Sequence, residues 1–128
     1  MATPYDGNGA PIKGGTHTYA TLAGAGMWST PSDMLKMANG FRRAYLGQKT
    51  DWISQATAQE MLTNNTPSIE PPNVGIGFFI NMSDNGEILG FGNGGADAGF
   101  MSQLYIELDT GNGYAIMTNG NNGTQLIR

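Results

Sequence analysis

The chain has 128 residues, a size at which one domain buries roughly two-thirds of its unfolded surface in a single core. Its net charge of -4, with six basic residues that form no patch, excludes a phosphate-backbone partner, because nucleic-acid affinity comes from clustered Lys and Arg. The absence of cysteine excludes disulfides, thiolate catalysis and cysteine-ligated metals, and no apolar run approaches the length of a membrane span.

From Met1 to Gly26 the run of Gly, Pro, Thr and Asn carries neither a helical nor a strand period, which predicts a long surface loop. A helix is predicted from Pro31 to Leu46. Thr30 and Asp33 make a Thr-x-x-Asp variant of the capping box, Pro31 fits the first helical position, and Gly47 supplies the stop. Met34, Met37, Ala38, Phe41 and Tyr45 fall on one face of that helix and are its candidate core. A shorter helix follows Ser54, with Ala56, Met61 and Leu62 as packing residues, and ends at Asn64 and Asn65 before a loop through Pro71 and Pro72.

Beyond residue 72 the chemistry changes to β-formers. Strands are predicted at Val74 to Met82, Glu87 to Phe91, Phe100 to Leu108 and Tyr114 to Thr118. Asp84-Asn85-Gly86 and the stretch from Asp109 to Gly113 read as hairpin turns, because Asn and Gly tolerate positive φ. Thr124 is placed to cap a further helix, and the chain reads as truncated after it. The expected fold is α+β: two helices and an antiparallel sheet of three to four strands in one unit, with residues 1–72 a loop and helical-lobe segment and 73–128 a sheet segment.

Several motifs have bland readings that are favoured. Gly90, Gly92 and Gly95 match G-x-G-x-x-G, but a strand and not a helix is predicted next, so no helix N-terminus is available for a pyrophosphate. Ser83-Asp84-Asn85 lies in a predicted turn, where those residues serve the backbone, and Lys49-Thr50-Asp51 lies between two helices. His17 is the only histidine and sits in a loop, too little for a triad or a metal site. Ser29 and Ser32 flank a helix start and read as caps. The stretch from Asn119 to Gly123 carries no carboxylate for a hard cation and reads as a turn. No cofactor or metal is implied.

Three stretches together resemble the family of serine β-lactamases, penicillin-binding proteins, D-alanyl-D-alanine carboxypeptidases and related esterases. The first runs from Ala25 to Met34 and is similar to the glycine followed by Ser-Thr-x-x-Asp at the start of a helical-lobe helix. The second is Phe91-Gly92-Asn93-Gly94-Gly95 followed by Gly99-Phe100-Met101-Ser102, and it resembles the third active-site box, usually Lys-Thr-Gly or His-x-Gly, with its strand. The third is the strand from Tyr114 with Asn119 directly after it.

The resemblance implies a substrate wall made by Asn93, Gly94, Gly95, Met101, Ser102 and Asn119. In it the chain near Phe100 to Ser102 is an edge strand whose main-chain N–H helps build an oxyanion hole, and Asn119 lies near a substrate carboxylate. Asn93 stands where the family has Lys or His, which removes a cationic donor. The family's Ser-x-x-Lys and Tyr-x-Asn boxes occur nowhere in the sequence, so no catalytic residue is assigned.

The chain is therefore expected to be the C-terminal portion of a serine hydrolase for a small-molecule or peptide-like acyl substrate, bearing an ester, amide or lactam, and inert by itself. Bacterial relatives of this kind are often exported, which points to a periplasmic or secreted setting. An uncovered sheet face is expected to favour a homodimer. The alternative is a stand-alone, non-catalytic binding or structural module on the same half-fold, using its Gly- and Asn-rich loops.

Overall fold

A computed structural model describes residues 1–66, 68 and 73–127. The loop predicted through Pro71 and Pro72 and the expected division after residue 72 lie outside the described residues. Three helices precede a four-stranded sheet: α1 (Leu22–Ala25), α2 (Pro31–Tyr45), α3 (Gln55–Met61), β1 (Phe79–Met82), β2 (Ile88–Asp97), β3 (Phe100–Glu107) and β4 (Gly113–Thr118). The class is α+β.

The start of α2 follows from its local chemistry. Thr30 is extended (φ -116°) and its Oγ1 accepts from the Asp33 N–H at 3.2 Å, satisfying one of the donors a helix leaves open. Asp33 in the first turn and Arg42 and Arg43 in the last complement the helix dipole. The helix ends at Tyr45, with Leu46 as its cap and Gly47 at φ +79°, where only glycine is unstrained. Ala38, Phe41 and Ala44 are buried, with Met34, Leu35, Met37 and Tyr45 packed beside them.

In α3, Ser54 caps through the Thr57 N–H. The expectation for Ala56 is corrected: it is exposed, and Ala58 and Leu62, one turn apart, carry the buried face.

The segment from Met1 to Gly26 is not a plain surface loop. It contains α1, and its first residues are fastened to the end of the sheet. Tyr5 donates its N–H to Asn119 O and accepts from the Asn121 N–H, while Ile12 N–H reaches Pro4 O. Thr124 lies inside a short 3-10 turn, Asn121–Gln125, and does not cap a new helix.

The sheet is a meander in the order β1-β2-β3-β4, antiparallel throughout. Two strand expectations change. The first strand begins at Phe79, because Gly75 and Gly77 (φ +81°) fold Val74 to Phe78 into a loop closed by Gly75 N–H to Phe78 O. The second runs on from the predicted Phe91 to Asp97, and Gly90, Gly92 and Gly95 sit inside it. Its ladder with β3 holds these glycines extended, and the close backbone approach requires them: a Cβ on Gly92 would overlap Leu104 O.

Because side chains alternate across a strand, the register assigns two faces. Ile80, Phe91 and Ile106 fall on the face toward the helices, and Phe91 is fully buried there. On this face Phe41 of α2 meets Phe78 and Phe91, with ring centroids 4.8 and 5.2 Å apart, and Phe78 meets Phe91 at 4.9 Å. Arg42, next along α2, donates from Nε to Leu108 O at 2.6 Å and from a terminal nitrogen to Asp109 O at 2.5 Å, tying the helix to the β3–β4 turn. The opposite face bears Phe79, Tyr105 and Tyr114, of which Phe79 and Tyr114 are exposed. Among the described residues no helix is long and apolar enough to cross a membrane.

Truncating Phe41 to Ala is expected to lower the unfolding free energy by about 3–5 kcal/mol, since it removes the ring common to both aromatic contacts that α2 makes with Phe78 and Phe91. Phe41→Leu should cost less than half of that. Urea denaturation followed by circular dichroism measures both, and equal, negligible losses would remove Phe41 from its central place.

Candidate functional site

The residues singled out in the sequence come together at one end of the sheet, two strands and a turn apart. Asn93, Gly94 and Gly95 lie in β2, Met101 and Ser102 in β3, and Asn119 directly after β4. The register pairs Gly95 with Ser102, Ala96 with Met101, and Met101 with Thr118. Alternation then divides them: Asn93, Gly95 and Ser102 point to the helix side, and Gly94 and Met101 to the other.

The expected edge strand is corrected. Phe100 to Ser102 belong to β3, which is flanked by β2 and β4 and is therefore internal. The open edge at this end belongs to β2. Pairing with β1 stops at the Phe79–Gly92 pair, so Asn93 to Asp97 have no strand partner on their outer side among the described residues. The short β1 decides this, because its Gly-rich approach bends away one residue before Asn93.

The side chain of Asn93 is committed at both ends. Its Nδ2 donates to Gly77 O at 2.8 Å and its Oδ1 accepts from the Gly94 N–H at 2.7 Å. The amide thus ties the loop before β1 to the outer side of β2, which a lysine or a protonated histidine could not do with both a donor and an acceptor. Asn119 is likewise occupied, donating from Nδ2 to Thr3 O at 2.9 Å. Gly95 leaves room for the Ser102 hydroxyl, which an added Cβ would approach to 2.8 Å.

Five further side chains, Tyr19, Asp97, His17, Trp28 and Phe100, surround this end, and none of them was among the expected substrate-wall residues. The Tyr19 hydroxyl donates to the Asp97 carboxylate, and that bond, with partial burial and the negative charge itself, raises the Tyr19 pKa above 10.0 although the Ala98 N–H opposes it. His17 Nδ1 lies 3.4 Å from the same hydroxyl. Trp28 stands edge-on to Phe100, with centroids 5.2 Å apart. Trp28 and Phe100 lie within the stretches that carry the family resemblance, but nothing in local sequence marks Tyr19 as a partner of Asp97, which is 78 positions away.

The tip between β2 and β3 is equally built. Gly99 turns at φ +77°, its N–H donates to Asn121 Oδ1 at 2.7 Å, and Pro4 packs where its Cβ would be. On the helix-free side, Gly92 and Gly94 open a shallow concavity of about 330 Å³ bordered by Phe79, Asn81, Gln103 and Tyr105. Among the described residues no group of acidic, histidine or cysteine side chains could hold a metal ion.

A family model described as Beta-lactamase matches residues 1–126. Neither the curated proteins nor the solved structures contain a match to the chain.

Tyr19→Phe tests the link to Asp97. A group whose folded pKa is raised stabilises the fold fully below its unfolded value and loses that contribution as pH rises through the folded value. The stability difference between parent and variant is therefore expected to be constant below the ordinary phenol value of 10.0 and to fade as the pH rises through the higher folded value. A spectrophotometric titration should also lose one phenol that ionises above the ordinary tyrosine value. Unchanged titration curves would dissolve the link.

Proposed function

The chain belongs to the β-lactamase family, and on that premise we propose that it forms one wall of a serine hydrolase active site acting on an ester, amide or lactam. The nucleophile and its base come from a segment outside the 128 residues, since Ser-x-x-Lys and Tyr-x-Asn are absent from them. The observation that carries this reading is the outer edge of β2 from Asn93 to Asp97, which no strand among the described residues pairs and where only the Gly94 N–H is taken, by the Asn93 amide; the family's third box falls here by resemblance.

The chemistry supports it. An open strand edge turns alternate main-chain N–H and C=O groups outward, and these can hold an extended acyl substrate by strand addition. An outward N–H is also the type of donor that stabilises an oxyanion without reorganising. Gly94 and Gly95 let the substrate approach the backbone, and Ser102 offers a hydroxyl beside them.

Asn93 is a positioning residue in this reading, because its amide is spent on Gly77 and Gly94. Met101 faces the far side of the sheet and Asn119 holds Thr3, so both support the wall from behind.

Incubating this chain with a chromogenic ester and a β-lactam should give no burst and no change in protein mass. Co-expression with the parent's upstream segment carrying the two missing boxes should give an acyl adduct on that segment's serine. Asn93→Ala in the reconstituted protein is expected to lower kcat/KM roughly ten- to hundred-fold, the effect of misplacing a positioning group. An adduct on Ser29, Ser32 or Ser102 of the isolated chain would overturn the reading.

A further inference from the structure

The two edges of the sheet differ. On the β1 side the main chain is partly engaged: Ile80 N–H donates to Asn73 O, and the Gly94 N–H donates to the Asn93 amide. On the other side, β4 has β3 as its only strand partner among the described residues. Glu107 N–H donates to Asn112 O, one step before the register pairs Ile106 with Gly113, so the positions bonded to β3 are 112, 114, 116 and 118. Gly113, Ala115 and Met117 therefore turn their N–H and C=O groups outward. The alternation continues to Asn119, whose carbonyl faces outward and accepts from the Tyr5 N–H.

Proteins blunt an exposed strand edge with a charge, a proline or a bulge, and β4 has none of the three. Its sequence is Gly-Tyr-Ala-Ile-Met-Thr, and its register with β3 is unbroken. The open stretch is bounded at both ends. Tyr5 occupies the edge at Asn119, and before Gly113 the chain bends into the β3–β4 turn that Arg42 holds. What remains open is centred on Ala115.

That symmetry selects the occupant. A second copy laid antiparallel across a two-fold axis at Ala115 sets Ala115 against Ala115, Gly113 against Met117 and Tyr114 against Ile116, so each outward donor meets an outward acceptor. An aromatic ring opposite a β-branched side chain is a favourable cross-strand pair. Neither strand carries a charge to oppose its own copy, although the whole chain has a net charge of -4. On the helix-free side Tyr114 and Ile116 border a hollow of about 220 Å³ with Leu126, and Tyr114 is 42% and Leu126 72% exposed. The second copy's Tyr114 would close against that hollow. A longer foreign strand would run into Tyr5, whereas a second copy turns away at its own Gly113.

We propose that the chain forms a two-fold dimer in which β4 pairs with β4 of a second copy, joining two four-stranded sheets into one. The outer edge of β2 lies on the far side of each sheet and stays free, so the dimer is independent of the substrate-wall reading.

Analytical ultracentrifugation of the 128-residue chain tests it. The expected result is a concentration-dependent species at twice the 13.5 kDa chain mass. A monomer at concentrations up to millimolar would overturn the proposal. Met117→Pro removes an outward N–H and leaves the bonds to β3 intact, so it should abolish the dimer with an unchanged circular dichroism spectrum. A variant that folds and stays dimeric would equally overturn it.

Because the chain has no cysteine, Ala115→Cys introduces a single thiol. A hydrogen-bonded antiparallel pair sets its Cα atoms about 5.5 Å apart, within reach of a disulfide, so this variant should oxidise to a covalent dimer. Asn85→Cys, in the exposed turn between β1 and β2, should remain monomeric on a non-reducing gel under the same oxidation. Equal cross-linking of the two variants, or none of Ala115→Cys, would overturn the pairing of β4 even if Met117→Pro failed to fold.

Discussion

The contact on which the rest of the structure depends is the meeting of Phe41 with Phe78 and Phe91. With few charged residues and no disulfide, the fold relies on apolar burial, and these three rings join its two halves. Phe41 is presented by α2, Phe91 by β2, and Phe78 by the loop entering β1, so one cluster sets the height of the helix over the sheet. The two main-chain bonds from Arg42 then fix its direction. Displacing this cluster would move Trp28 and Thr30 relative to the β2–β3 hairpin, because both precede α2 directly.

From that frame the candidate site follows as a consequence of where the core stops. Phe91 is the last large apolar side chain on its face of β2, and the next inward positions, Asn93 and Gly95, have nothing apolar to bury. The helix layer does not cover them, and β1 ends one residue earlier. A strand end left open on one face and one edge is the geometry that acyl-transfer chemistry of the proposed kind needs, where a substrate must reach main-chain donors. The first residues of the chain and the turn after β4 brace that end from behind through Tyr5, Asn119 and Asn121.

Where the resemblance sets Asn93 in place of a cationic box residue, its amide has a structural use. A neutral amide with both a donor and an acceptor can tie Gly77 and Gly94 at once, and a lysine ammonium can only donate. Family membership and this residue are compatible under the proposed reading, in which the wall and the nucleophile are separate functions. In that reading the wall depends on backbone presentation, which survives the loss of one charge, and acylation would depend on the Ser-x-x-Lys and Tyr-x-Asn boxes absent from this sequence.

Much of the local architecture was legible in the sequence. Thr30, Pro31 and Gly47 bounded α2, the period of Met34, Met37, Ala38 and Phe41 named its buried face, and Asn-Gly and Thr-Gly turns separated the strands. These features are set by neighbours within a few residues, through caps, positive φ and side-chain period, so the sequence by itself determined them, together with the α+β class and the family resemblance. Tertiary structure alone decided that the glycines after Phe91 extend as strand, that β2 and not β3 is the open edge, that Ala58 replaces Ala56 in the core, and that Tyr19 reaches Asp97. Each depends on a partner many residues away in the chain: Leu104 for Gly92, Thr118 for Met101, α2 for α3. Local propensity cannot encode such pairings, because they are settled only when the whole sheet closes against the helices.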